Sequence, residues 1–169
     1  MAFNVIGKTM PVGLPGQVAR ESYALIETHA NDATAPVTAY GVPVALVSGG
    51  NGAVRMLTST DTADDIYGWS VRPDAVQLGG NNPSFGDSGV PSTEQPIDVL
   101  VKGYLNVKVY GSTTPAFGGA VYARIIAGSN GEPVGATEAA ADSTKTVAVS
   151  GAIFMGAEDD YDMAQIRVL

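Results

Sequence analysis

Cysteine is absent from the 169-residue chain, so no disulfide framework and no thiolate metal site can hold it together. Histidine occurs once, as His29, which excludes a multi-histidine metal centre. A single tryptophan leaves few aromatic platforms for sugar. Basic residues are scarce: nine Lys and Arg stand against 17 Asp and Glu, giving a net charge of −8. That average field repels nucleic acid, and no Lys/Arg cluster breaks it locally. No apolar run reaches the roughly 18 residues of a membrane-spanning helix, so no membrane partner is expected. The opening MAFNVIGKTMPVG lacks a basic region followed by an unbroken apolar one, and a secretory signal is not expected. No dinucleotide, Walker or CxxC motif occurs, and no cofactor is implied.

What the chain does contain is turn chemistry between short apolar runs. Its 21 glycines, 10 prolines and 45% hydrophobic content describe a folded, turn-rich domain. IDVLVKGYLNVKVYG at 97–111 carries the strongest pattern. Leu105, Val107 and Val109 share one parity; Lys102, Tyr104, Asn106, Lys108 and Tyr110 share the other. A period of two predicts a strand with one dry and one wet face. PVTAY, GVPVALVS, AVRMLT, IYGWSV, AVYARIIAG, TVAVSGAIFMG and MAQIRVL read the same way. Asn51-Gly52 and Asn130-Gly131 mark hairpin turns. Residues 17–30 fit helix or strand. About eight strands at this spacing predict a single-domain, all-β sandwich or barrel.

Two segments stand apart. Residues 1–22 hold Pro11 and Pro15 among glycines, which suits neither helix nor central strand, yet Phe3, Val5, Ile6, Met10, Val12 and Leu14 are apolar. They read as an extended N-terminal arm ahead of a β domain at 23–169. Such an arm lies either across its own domain or on a neighbour. Residues 73–96 form a long Gly/Pro/Asn/Ser loop, a second candidate contact.

The sharpest catalytic candidate is GDSG at 86–89. His29, Asp61 and Ser88 occur in the chain order of chymotrypsin-like proteases. However, Asp61 to Ser88 leaves room for only about three strands, too few for a two-barrel protease. Val90 and the ETHAND context of His29 also depart from that pattern. Turn chemistry explains GDSG more simply. Asp61, Asp64 and Asp65 offer oxygen ligands to a hard cation but lack calcium-hand spacing. Glu158, Asp159, Asp160 and Asp162 read as a solvated acidic loop. A carbohydrate-binding module stays open as a further alternative, although no carboxylate pair stands out.

GWSVRPDAVQ, the glycine-rich loop after it and PIDVLVKGYLNVKVYG together resemble the structural cement (capsid decoration) proteins of tailed bacteriophages. The matching positions are Gly68, Trp69, Val71, Arg72 and Pro73, then Asp98 to Val109 with Gly103 and Tyr104. GGAVYARI, TEAAADSTKTVAVSGAIFMG and AQIRVL are similar to later strands of that family, in order. The resemblance implies a β-sandwich or jelly-roll-like fold and a non-enzymatic role on the outer surface of the virion. The implied partners are an HK97-like major capsid protein and further copies of the chain, as dimer or trimer. Phe3, Val5, Ile6, Met10, Val12 and Leu14 become the candidate capsid contacts.

Overall fold

The computed structural model describes residues 12–73, 91 and 95–169. Among them lie nine strands: β1 Leu25–His29, β2 Pro43–Leu46, β3 Val54–Met56, β4 Ile66–Ser70, β5 Ile97–Tyr110, β6 Ala120–Arg124, β7 Thr137–Glu138, β8 Thr146–Phe154 and β9 Met163–Val168. The rest is turn and three short 3-10 segments, and no described helix is long and apolar enough to cross a membrane. The all-β reading holds. The undecided stretch at 17–30 becomes a 3-10 turn, Glu21–Tyr23, followed by β1.

The patterned strand organises everything else. β5 is 14 residues long and its two halves have different neighbours. Residues 97–102 pair with β1, and Leu100 and Val99 also pair with Trp69 and Ser70 of β4. From Gly103 to Lys108 the partner is β9, and Val109 and Tyr110 run parallel to β7. Gly103 marks the change at φ +136, where a Cβ would come within 3.0 Å of the Ala24 Cα. Only glycine suits that backbone at that approach.

The second half of β5 belongs to a ring. β5 pairs with β9, β9 with β8, β8 with β6, β6 with β7, and β7 with β5 again. This closes a five-stranded barrel and removes its edges. Leu105, Val107, Val109, Val121, Ala123, Phe154, Ala164 and Ile166 pack in one buried cluster. The first half of β5 belongs to a sheet of order β3-β2-β4-β5, with β1 beyond it. One bridge, Asn31 to Val54, ties the end of β1 to β3. A smaller cluster, Val37, Val44, Val54, Ile97 and Val99, lies here. Trp69 and Leu100 from this sheet join the larger cluster and couple the two units. Trp69 is thus a core residue.

The β2–β3 hairpin forms, but not through a two-residue turn. Strand pairing stops at Leu46 and Val54, and Asn51 does not take the positive φ such a turn needs. The reversal is spread over residues 47–53, closed by Val47 N–H donating to Ala53 O at 2.9 Å.

Candidate functional site

The arm leaves a clear imprint where it is described. Residues 12–19 lie along the second half of β5. Val18 bridges antiparallel to Leu105. Gly16 N–H donates to Asn106 O at 2.8 Å, Asn106 N–H to Gln17 O at 2.9 Å, and Ala19 N–H to Tyr104 O at 2.9 Å. The Asn106 side-chain amide donates to Val12 O at 2.8 Å. On the other side, Val12 N–H donates to Asp159 Oδ2 at 2.8 Å. Arg72 holds the same turn twice, through N–H to Gly16 O at 2.7 Å and Nε to Pro15 O at 3.2 Å. Arg20 continues the path, its guanidinium 4.2 Å from the centre of the Tyr104 ring.

The fit around Gly16 is close. Its φ is +80, and a Cβ there would sit 2.7 Å from the Tyr40 Cβ and 2.9 Å from Gly41 N. Of the two expectations for the arm, packing on its own domain is therefore the one realised over residues 12–19. Val12 is half-buried and Leu14 is 51% exposed. Phe3, Val5, Ile6 and Met10 lie outside the described residues.

Two groups that anchor the arm were not legible as such. Asn106 stands at a wet position of β5, yet it is buried, because the arm covers it. An asparagine inside a strand is itself unusual and was the available signal. Asp159 belongs to the expected solvated loop, but its carboxylate accepts from Val12, Tyr161 and Met163 N–H groups. Burial alone would raise its pKa; those three donors outweigh it and hold the carboxyl below the usual range.

The catalytic candidates do not assemble. Asp61 is buried and held in a fork by Arg55, with contacts of 2.7 and 2.8 Å, and it also accepts from Thr58 N–H at 2.6 Å. Arg55 above all, against the opposing effect of burial, keeps this carboxyl below its usual range. His29 donates from Nδ1 to Gly52 O at 2.7 Å, and its Nε2 lies 3.4 Å from Glu27. The imidazole nitrogen that a triad would give to aspartate is thus bonded to a backbone carbonyl. Ser88 lies outside the described residues. Asp65 caps Thr62, accepting from its N–H and hydroxyl at 2.8 Å each. Asp61 and Asp65 therefore serve local structure, and among the described residues no group of three potential metal ligands converges.

One further charged group is fully internal. Arg124 of β6 donates from Nε to Glu138 Oε1 at 2.5 Å and from Nη2 to Asp142 Oδ2 at 2.8 Å. This pins the two-residue β7, whose backbone completes the barrel.

The geometry defines a β-barrel joined to a sheet through one strand, with an N-terminal strap and no assembled catalytic centre among the described residues. Over residues 3–169 the chain matches the family described as structural cement protein (E217 gp24/Pam3 gp6), and it belongs to that family. Membership places it in the virion capsid. A solved chain from the capsid of Myoviridae phage XM1 has the same fold, with a TM-score of 0.69 over 99% of this chain and 97% of that one at 20% identity. No curated protein sequence matches.

Proposed function

We propose that the protein docks on the outer surface of the assembled phage head, spans several subunits of an HK97-like major capsid protein and stabilises the shell without catalysing a reaction. The observation that carries this reading is the family match along nearly the whole chain. The anchored arm supports it. Residues 12–19 are fixed to β5, so the apolar segment ahead of them, with Phe3, Val5, Ile6 and Met10, starts from a rigid root. Leu14 is exposed beside it.

A ligand that recognises only the assembled lattice stabilises it by mass action, by about 2.7 kcal/mol per site at a hundredfold excess over Kd. Several modest contacts made at once become tight through effective concentration. The charge of −8 favours the outer face over the genome-facing one. Deleting residues 2–11 leaves the root intact and tests the arm directly. Co-sedimentation with undecorated shells is expected to fall at least tenfold in affinity. Unchanged binding removes the arm from the interface, and failure of the full chain to bind shells at all removes the proposed function.

A further inference from the structure

Two asparagine–glycine pairs, Asn51-Gly52 and Asn130-Gly131, mark turns, and the proposed docking uses neither. All four residues are exposed. In such a pair the glycine nitrogen can attack the asparagine Cγ, because glycine has no side chain to block the approach. A Cβ placed on Gly52 or on Gly131 would meet no atom within 4 Å. Neither glycine N–H donates to a described residue, so neither nitrogen is tied up. The two pairs thus share their reactive atoms and their access.

Their surroundings differ. Glu132 Oε2 accepts from Asn130 N–H at 3.2 Å, and Gly128 N–H closes that turn on Glu132 O at 2.8 Å. The Glu132 carboxyl is held below its usual range, by its own N–H above all and also by Asn130, so it is charged at neutral pH. The attacking nitrogen must become anionic, and a carboxylate this close disfavours that form. Among the described residues no carboxylate is hydrogen-bonded to Asn51 or Gly52. Their turn is held instead by Val47 N–H on Ala53 O at 2.9 Å and His29 Nδ1 on Gly52 O at 2.7 Å. Just beyond it, Val54 N–H donates to Ala30 O and Asp32 N–H to Val54 O, both at 2.9 Å, which latches β3 to the end of β1.

We propose that Asn51 is a site of spontaneous deamidation through a succinimide with Gly52, faster than Asn130, and that the isoaspartate formed there unlatches β3 from β1. Gly52 N bonds to Asn51 Cγ and gives up its proton; the Cγ–Nδ2 bond breaks, and ammonia leaves with that proton. Water then opens the ring. Attack at the side-chain carbonyl gives aspartate. Attack at the backbone carbonyl leaves the chain running through Cγ, as isoaspartate. The main chain is then one carbon longer between Val47 and Ala53. The contacts of Gly52 O with His29 and of Ala53 O with Val47 no longer match in spacing, and the latch at Val54 follows directly after them. The inference stands independently of shell binding.

The test is peptide mapping by mass spectrometry of the full chain aged in heavy-oxygen water at neutral and mildly alkaline pH. Residue 51 is expected to take up heavy oxygen several-fold faster than residue 130, at a rate that rises with hydroxide. Enzymatic methylation of isoaspartate separates that product from aspartate. Glu132→Gln keeps the hydrogen-bond acceptor and removes the charge; it is expected to speed Asn130 several-fold and leave Asn51 unchanged. Amide exchange reads the consequence. In the isoaspartate form the Val54 amide is expected to exchange about tenfold faster or more, as a local opening, while β8 and β9 keep their protection. Freshly prepared Asn51→Asp adds the charge without lengthening the chain and is expected to leave Val54 protected. No oxygen uptake at residue 51, uptake no faster than at residue 130, or an Asn130 rate unmoved by Glu132→Gln overturns the assignment of the site. Val54 exchange unchanged in the isoaspartate form, or equally fast in fresh Asn51→Asp, overturns the unlatching.

Discussion

The two halves of β5 are walled in different ways. Around residues 103–110 the neighbours form a complete ring, with Phe154, Leu105 and Ile166 among its fully buried side chains and the Arg124–Glu138 pair sealing its shortest strand. Around residues 97–102 the core is five valines and isoleucines, and closure depends on one bridge and on side-chain ties near the surface. Those ties include Arg55 to Asp61, His29 to Gly52, Tyr67 to Glu27, and Thr28 to Asp98 at 2.6 Å. A closed barrel draws its stability from packing; a nearly closed sheet depends on polar fasteners that solvent can reach.

Substitutions can break that contrast. Phe154→Ala in the barrel is expected to lose about 3–5 kcal/mol in chemical denaturation, whereas Val54→Ala in the sheet loses roughly 2 kcal/mol. Equal losses would show that the two cores carry equal weight. Arg124→Ala leaves Glu138 buried without its partner and is expected to cost about 3–5 kcal/mol. Replacing Arg124 and Glu138 together by Met and Leu restores most of it, since the pair itself adds little over apolar packing.

Arg55→Ala sharpens the other side. Removing a charged hydrogen-bond partner from Asp61 is expected to cost about 1.5–3 kcal/mol, with faster amide exchange in β2 and β3 while the barrel amides stay protected. Asn106→Ala releases the strap from Val12 at about 1 kcal/mol; limited proteolysis should then cut before residue 20 with the barrel intact.

Acid gives the smallest effect per group. Asp61 and Asp159 both have folded-state pKa values below the ordinary carboxyl value. Their contribution is complete above the unfolded value, about 3.9, and is lost as pH falls below it through the folded values. Stability therefore rises with pH across that window. Exchange measured there should show strap and sheet loosening before the barrel; simultaneous loosening would erase the distinction between the halves.

The barrel half was the more legible in sequence. Period-two alternation placed Leu105, Val107 and Val109 inside, and the runs at 146–154 and 163–168 became β8 and β9. Side-chain fasteners were not legible, because their partners are distant along the chain. Arg124 reads as one more strand residue until Glu138 and Asp142 are brought beside it. Asp61 looks available to a histidine or a cation until Arg55 folds onto it. β7, only two residues long, is hidden in a small-residue stretch that carries no alternation. Asn106 was assigned to solvent since parity cannot show that a later-placed segment covers a wet face.

The antiparallel seating of the strap has a mechanical meaning. Its hydrogen bonds to Tyr104 and Asn106 run across the direction of the chain, so tension along residues 12–19 strains them all together instead of unzipping them singly. The strand receiving that tension is common to both sheets. Force entering at the amino-terminal end is therefore passed to barrel and sheet together.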